Sequence, residues 1–276
     1  MTPENIADWC DHLRHAKGLS ARTVSQKYLA VAKTVFTLAV EKRKLKENPV
    51  VGLKVRFVKS PKTRPKGFTD NEAQIILDAA LAHPESLGRR SEGNKLAIRW
   101  GPWICAFTGA RITEIMQLRT DDLVEEHGIL CLRITPEAGS VKTGAYRIVP
   151  IHPQLLEMGL PEMIRAMPPG PIFFNLVPFR GKPVDPVERA QAVGGKVGQW
   201  VRKTVGITDP QVQPNHAWRH RFKTIAREAG IAPEYMDVIQ GHEDGRAASD
   251  YGETPVKTLW REVLKLPRYA IGQVGR

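Results

Sequence analysis

The stretch Phe107-Thr-Gly109-Ala-Arg111-Ile-Thr-Glu114-Ile-Met-Gln-Leu118 joins two predicted helices in the middle of the chain. An apolar helix over Leu96–Phe107 ends at Gly109, and a short helix follows from Arg111. An Arg at a helix start is well placed for an anion, because the free N–H groups there carry a partial positive charge. Glu114 lies three residues on, hence on the same helix face. The stretch therefore predicts either an anion site or an ordinary Arg–Glu pair.

The elements on either side of this stretch indicate an α+β fold. Upstream, Thr69-Asp-Asn-Glu72 has the capping-box pattern that opens a helix. Downstream the apolar period changes to two, which predicts strands over Ile129–Thr135 and Tyr146–Ile151 with a hairpin-like connection. Pro/Gly-rich connections and a short apolar run over Ile172–Leu176 follow. Because further helices are predicted near 187–205, 215–229, 233–240 and 255–265, this part is mainly helical with a small antiparallel sheet.

The first 50 residues predict a small helical region. Thr2 and Pro3 begin one helix with a capping hydroxyl and a proline in the first turn. Ser20 caps a second helix that runs to about Lys44. Its apolar residues form one stripe: Val24, Tyr28, Val31, Val35, Leu38 and Ala39. Two helices form a thin core, so this region needs further small elements or another surface to pack on.

The positive charge is concentrated in the first quarter of the chain. The 276 residues carry a formal net charge of +12, and residues 1–67 hold 15 Lys/Arg against 5 Asp/Glu. A solvated basic surface would explain any one short basic run. A strongly basic region beside a nearly neutral one instead favours a polyanion partner, DNA or RNA. The candidate DNA-binding residues are Lys42, Arg43, Lys44, Lys54, Arg56, Lys59, Lys62, Arg64 and Lys66.

These patterns divide the chain into a helical domain over residues 1–53, a basic linker over 54–67 and a larger domain over 68–276. A hydrophobic content of 42% supports a packed core and excludes a disordered chain. No run of about 18 apolar residues occurs, which excludes a membrane span. The N-terminus lacks the pattern of a secretory signal. Three scattered cysteines do not make a disulfide framework, so we expect a cytoplasmic protein.

Three further segments gather polar residues that could act on an anion. Lys142 lies between the two predicted strands, where a lysine is ordinarily just solvated. His216 and Arg219 are three residues apart and share a helix face. His242 follows a glycine, and Tyr251 comes nine residues later in a stretch too polar for a core. Each of these residues alone also has an ordinary structural explanation.

A metal site is the weaker interpretation of the histidines. His216 and His220 have the spacing of two zinc ligands, but Ala217 stands where the metalloprotease pattern has Glu. The Cys and His residues of the first helix complete no four-ligand spacing. We therefore predict no metal and no other cofactor.

In this order, the candidate residues resemble the active-site pattern of the tyrosine recombinases, the site-specific DNA recombinases of the phage integrase family. That pattern is an Arg in A-R-x-x-E-[IL], a Lys in a β-hairpin, H-x-x-R, G-H, and a Tyr about nine residues after that His. The chain supplies Ala110-Arg111-Ile-Thr-Glu114-Ile115, Lys142, His216-x-x-Arg219, Gly241-His242 and Tyr251. The first region, from Leu19-Ser-Ala-Arg-Thr-Val to Asn48-Pro49, looks like the core-binding domain of these enzymes.

The chain departs from the family pattern in two places. Ala247-Ala248 stand where a pair of Thr residues is frequent, and the version Gly245-Arg246…Tyr251-Gly252 resembles prophage and integrative-element integrases. The first domain looks short, and we expect no separate arm-binding domain before it. Both points concern accessory-site binding and leave the chemistry unaffected.

The resemblance implies a DNA breaking–rejoining fold whose two domains clamp double-stranded DNA, and a reaction without metal or cofactor. The implied catalytic residues are Arg111, Lys142, His216, Arg219, His242 and Tyr251, with Glu114 as a support. The family acts as a tetramer on paired sites, and DNA-bending accessory proteins are further expected partners. Residues 256–264 would either pass to a neighbouring subunit or pack on their own domain.

Three alternatives remain at the level of sequence. A type IB topoisomerase uses similar residues to relax supercoils as a monomer. A DNA-binding regulator could keep the fold without activity, although no catalytic residue is missing. A metallonuclease would require a metal.

Overall fold

The structure, a computed structural model, describes residues 1–58, 61–139, 141, 144–178, 181, 183–242 and 253–271. The chain divides into two compact units, Met1–Thr63 and Arg64–Arg276. The division falls inside the segment 54–67, which the sequence predicts as a linker. Within the described ranges, no helix is long and apolar enough to cross a membrane.

The first unit consists of α1 (Pro3–His15), α2 (Ala21–Thr23) and α3 (Ala30–Glu41), with the π-helical stretch Val24–Leu29 joining α2 to α3. The helix α1 begins as predicted, because the Thr2 hydroxyl accepts a hydrogen bond from the backbone N–H of Asn5. The buried apolar residues of this unit are Ile6, Cys10, Leu13, Val24, Leu29 and Val50.

The predicted apolar stripe on the second helix is only partly buried. Val24 is fully buried, whereas Val31, Val35 and Leu38 are exposed and α3 buries no residue. The helix α1 packs chiefly against the π-helical stretch, so the apolar residues farther along α3 lack its cover. The later residue Val50 adds to the core instead.

The second unit is mainly helical. Its helices are α4 (Asp70–Ala80), α5 (Glu92–Thr108), α6 (Ile112–Met116), α7 (Pro153–Glu157), α8 (Leu160–Arg165), α9 (Pro186–Trp200), α10 (Pro214–Glu228), α11 (Pro233–Gln240) and α12 (Val256–Val263). The predicted capping box between Thr69 and Glu72 opens α4. The helix α5 is the centre of the core: its Trp103 and Phe107 are fully buried, and α4, α6, α9 and α10 pack around it.

A small antiparallel sheet completes this unit, with the strand order β1 (Leu123–Glu126), β2 (Ile129–Ile134), β3 (Arg147–Pro150) among the described residues. The register pairs Leu132 with Val149 and Ile134 with Arg147, which confirms the predicted pairing of the two later strands. A two-residue turn at His127 and Gly128, both with positive φ, connects β1 to β2.

Three short elements differ from the sequence prediction. The strand β1 has four residues, and α7 and α8 have five and six. Each element is too short to show a hydrophobic period. Both helices also carry Pro in the first turn, and a proline in a sequence is as typical of a turn as of a helix start. The sequence predicts Pro/Gly-rich connections in this part of the chain, whereas the structure has two short helices there, α7 and α8.

The C-terminal helix α12 packs on its own unit in this single chain. Leu259 and Val263 belong to the same buried core as α5, and α12 contacts β3. The segment after it is also held in place: the backbone N–H of Tyr269 donates to Gln154, and Gln154 donates back to the Tyr269 carbonyl. The exchange of this helix with a neighbouring subunit stays a prediction.

Candidate active site

Arg111 stands at the junction of α5 and α6. The chain leaves α5 through Gly109 in the left-handed region (φ 59°), where a Cβ would lie 2.6 Å from the ring of Phe222. Arg111 is then the N-terminal cap of α6. Its Nη1 donates to Glu114 Oε1 at 2.8 Å and lies 3.4 Å from the carbonyl oxygen of Gly241. The guanidinium is therefore held at one side while its side chain stays 20% exposed.

Glu114 is a buried counter-ion, with a side chain only 1% exposed. Its carboxylate accepts hydrogen bonds from the backbone N–H and Nη1 of Arg111 and from Nη2 of Arg147 at 2.6 Å. Burial pushes its pKa upward, but the two guanidinium groups outweigh burial and hold the pKa of Glu114 below its usual range. The group is therefore ionised at neutral pH.

Arg219 projects from α10 into a ring of backbone carbonyls. Its Nη1 donates to the oxygens of Gly109 (3.0 Å) and Gln240 (2.5 Å), and its Nη2 donates to that of Gly241 (3.0 Å). Burial, and then the nearby Arg111 charge, lower the pKa of Arg219 to about 10. The side chain is still a cation at neutral pH. Arg111 and Arg219 thus meet at one carbonyl, that of Gly241.

The two predicted catalytic histidines, His216 and His242, lie in α10 and directly after α11. Gly241 ends α11 in the left-handed region (φ 66°, ψ 58°), and His242 comes directly after it. The backbone N–H of His242 donates to the Asp237 carbonyl, and the side chain is 48% exposed, with Nδ1 3.7 Å from Asp237 Oδ1. His216 lies exposed in the first turn of α10, three residues before Arg219 and hence on its face.

Two of the predicted catalytic residues, Lys142 and Tyr251, lie outside the described residues. The described residues that follow them are in contact: the Tyr146 hydroxyl donates to Glu253 Oε1 at 2.8 Å. A side-chain hydrogen bond therefore joins Tyr146, four residues after Lys142, to Glu253, two residues after Tyr251.

Arg147 lies in the polar segment that the sequence places around Lys142, but the sequence pattern assigned it no role in the site. It begins β3, is 8% exposed, and donates from Nη2 to Glu114 and from Nε to the Ile239 carbonyl. Its Nη1 is buried without an acceptor among the described residues. The available signal was an arginine inside an apolar strand pattern, Tyr146–Ile151, because a buried arginine requires a partner.

The predicted DNA-binding residues fall into two groups. Lys59 lies outside the described residues. Arg64 is only 18% exposed, and its guanidinium pairs with Glu72 and Asp209. The hydrogen bond to Glu72 is the main cause of the raised pKa of Arg64. The remaining candidates are exposed: Lys42, Arg43, Lys44, Lys54, Arg56, Lys62 and Lys66. A role in DNA binding stays a prediction for all of them, and for Arg64 it requires that the ion pairs with Glu72 and Asp209 break.

No group of three or more His, Cys, Asp or Glu side chains suited to a metal ion occurs in the part of the chain that the structure describes. His216 and His220 thus have no third ligand within that part.

Comparison with known proteins places this site in a family. A sequence model of the phage integrase family matches residues 68–255, which include every predicted catalytic residue. Tyrosine recombinase XerC of Bacillus licheniformis is 27% identical over 246 residues, 83% of this chain and 69% of that protein. Tyrosine recombinase XerC of Rhizobium meliloti is 27% identical over 198 residues, which cover 68% of this chain and 54% of that protein.

Two solved structures share the fold. The XerH site-specific recombinase, bound to its difH substrate before cleavage, superposes with a TM-score of 0.55 at 18% identity, over 95% of this chain and 67% of its own. A lambda integrase dimer bound to a COC′ core site gives a TM-score of 0.57 at 18% identity, over 93% and 83%. These similarities confirm the predicted fold class. Since the family match covers well over half of the chain, the chain belongs to the phage integrase family and is a tyrosine-type site-specific recombinase.

Proposed function

We propose that this recombinase cuts and rejoins double-stranded DNA through a 3′-phosphotyrosyl intermediate, and that it serves the integration or excision of a mobile element. The catalytic residues in this proposal are Arg111, Lys142, His216, Arg219, His242 and Tyr251. Glu114 supports Arg111 and does not take part in the chemistry.

The meeting of Arg111 and Arg219 at the Gly241 carbonyl carries the proposal. Two guanidinium groups from different helices converge where His242 follows, and all three side chains stay at least partly exposed. Arginine suits a phosphodiester because its planar fork can donate two parallel hydrogen bonds to phosphate oxygens. Glu114 and backbone carbonyls hold the guanidinium groups of Arg111 and Arg219 in place before DNA binds, so little reorganisation is needed as negative charge builds on the phosphate oxygens.

The reaction then requires a nucleophile and an acid. The Tyr251 oxygen attacks phosphorus, the new O–P bond forms as the bond to the 5′ oxygen breaks, and Lys142 gives its proton to that oxygen. His216 accepts the proton of the attacking hydroxyl, which needs a base because a tyrosine hydroxyl ordinarily has a pKa of about 10 and is largely neutral at pH 7. The phosphotyrosyl bond conserves the energy of the broken phosphodiester, so a 5′ hydroxyl of another strand can reverse the step without ATP.

The first unit would hold the duplex. Its exposed lysines and arginines, including Lys42, Arg43 and Lys44, supply a sequence-independent attraction to phosphates. XerH and lambda integrase are described with bound DNA, the latter as a dimer. We propose that this chain likewise binds DNA and forms a tetramer on paired recombination sites, where accessory proteins that bend DNA assist it. The resemblance of the Gly245-Arg246…Tyr251 segment to integrases of prophages and integrative elements supports the mobile-element role.

A nicked duplex that traps the intermediate tests the proposal. The native protein should form a covalent protein–DNA adduct that withstands denaturation, and Tyr251→Phe should form none while binding the same DNA. An adduct with Tyr251→Phe would refute the assignment of the nucleophile. Relaxation of supercoiled plasmid without a specific site would instead identify a topoisomerase-like activity.

A further inference from the structure

Arg147 lies at the back of the arginine cluster. It starts β3, five residues after Lys142, and is 8% exposed. Its side chain is therefore too deep to replace Arg111 or Arg219 on a phosphate of the duplex. Burying an arginine is costly unless it is paired, and this one is paired with Glu114 at 2.6 Å.

Glu114 is shared between two arginines of different exposure. Its Oε1 accepts from Arg111 Nη1, and its Oε2 accepts from Arg147 Nη2 and from the backbone N–H of Arg111. If Glu114 had Arg111 as its only partner, the two charges would cancel, and Arg111 would offer little attraction to a phosphate. With Arg147 present, the three charges leave one net positive charge beside the exposed guanidinium.

Arg147 also supports the turn that follows α11. Its Nε donates to the Ile239 carbonyl at 3.3 Å, and a Cβ on Gly241 would lie 2.5 Å from its Cζ. The guanidinium is thus in close contact with Gly241, whose carbonyl accepts from both Arg219 and Arg111. One side chain on β3 therefore contacts Glu114, which holds Arg111, and packs against Gly241, which precedes His242 and whose carbonyl accepts from Arg219.

We propose that Arg147 is a positioning residue for DNA cleavage: it neutralises Glu114 so that Arg111 remains a phosphate-binding cation, and it fixes the Gly241 turn against which Arg111 and Arg219 are held. This inference rests on the proposed function. It places behind the predicted catalytic residues a buried side chain that acts through Glu114 and Gly241, and it gives β3 a role in positioning Arg111 and Arg219.

Single-turnover cleavage of the nicked duplex, with protein in excess and the concentration varied, separates the cleavage rate from DNA affinity. Arg147→Met should lower the saturated rate by about 100-fold, the scale expected for a small displacement of catalytic groups, while the affinity for DNA changes by less than about threefold. Arg147→Lys keeps the charge and loses the fork, so we expect a loss of about tenfold. Native rates in both variants would overturn the inference.

Arg221→Met is the matched control. Arg221 is also 8% exposed and ion-paired, but its partners are Asp70, the Tyr269 hydroxyl and the Phe68 carbonyl, none of which belongs to the cluster. It should lose thermal stability comparably to Arg147→Met and keep the native rate at a temperature where it is folded. An equal loss of rate in both variants would make the effect of Arg147 one of stability and contradict the proposal.

A second substitution distinguishes neutralisation from mere packing. In the double variant Glu114→Gln with Arg147→Met, no buried carboxylate competes for Arg111, so cleavage should be about tenfold faster than in Arg147→Met alone. A packing role predicts that the double variant is no faster. Should Arg147→Met not fold, Arg147→Lys still decides the question, because a native saturated rate in that variant would overturn the inference. If the native protein itself forms no adduct, the proposed function fails, an outcome distinct from native-like cleavage by the Arg147 variants.

Discussion

The cations of this protein occur in two environments that differ in how firmly they are held. In the second unit, Arg111, Arg147 and Arg219 each donate to named acceptors, and a carboxylate that is 1% exposed lies among them. In the first unit, Lys42, Arg43 and their neighbours are exposed to solvent. The first kind of cation is oriented before any ligand arrives, whereas the second can follow a phosphate backbone in many geometries.

The two environments determine which property each group of cations can contribute. Oriented, partly buried donors point at one phosphate position, and their hydrogen bonds strengthen as negative charge develops on the phosphate oxygens. Such donors therefore affect the rate of cleavage. Solvated cations contribute through the release of counterions from DNA, which affects affinity and its dependence on salt. Substitutions in the two groups should therefore change different measurements: the saturated cleavage rate for the oriented donors, and the affinity and its salt dependence for the solvated cations.

The largest effect is expected from Arg219→Ala. Removing this donor should lower the single-turnover rate of adduct formation by about a thousand-fold at saturating protein, since one oriented donor to a developing charge contributes about that much. DNA affinity, measured by fluorescence anisotropy, should fall far less.

Lys44→Ala is the counterpart from the first unit. It should leave the saturated rate within about twofold of native and weaken DNA binding, most strongly at low salt. If Lys44→Ala slowed the saturated reaction as much as Arg219→Ala, the two kinds of cation would not be distinct.

Glu114→Gln should produce the next largest effect, on stability. Loss of the buried carboxylate leaves Arg111 and Arg147 without their shared counter-ion, and we expect the free energy of unfolding at pH 7 to fall by about 3 kcal/mol. Chemical denaturation at fixed pH measures it.

The pH dependence of the same variant has a definite sign. Because the pKa of Glu114 is lower in the folded than in the unfolded chain, its stabilisation is present above the unfolded value of about 4.3 and is lost as the pH falls through the folded value. Below about pH 5 the native protein should therefore lose stability more steeply than Glu114→Gln. Parallel pH curves would mean that Glu114 is not held ionised by the arginines.

The smallest effects compare two neighbouring cations of the segment 54–67. Lys62 is exposed, whereas Arg64 pairs with Glu72 and Asp209. Lys62→Gln should reduce the slope of log affinity against log salt by about 0.9, the value for one lost phosphate contact. Arg64→Gln should leave the slope unchanged and lower the melting temperature by about 3 °C. A reduced slope in Arg64→Gln would show that Arg64 leaves its carboxylate partners to bind DNA.

Prediction from sequence succeeded where the signal is local. The capping box of Thr69 and Glu72, the helix end at Gly109 and the alternation in β2 and β3 are patterns within a few residues, and the structure has all three. The strand β1 and the helices α7 and α8 were missed because each is shorter than the window that reveals a period. The exposed face of α3 was not foreseen either, since an apolar stripe does not say whether anything packs against it.

The amino-acid sequence alone supplies the proposed catalytic set, two arginines, two histidines, a lysine and a tyrosine in a fixed order and spacing, and the surplus of positive charge in residues 1–67. The tertiary structure alone decided how some of these groups are held. Arg147 reaches Glu114 across 33 positions, and Arg219 reaches Gly109 across 110. Such contacts depend on how elements distant in sequence pack, α10 against α5 among them, and the residue pattern of a single element does not specify that packing. A cation visible in the sequence thus acquires its role, phosphate ligand or counter-ion, from what the fold places beside it.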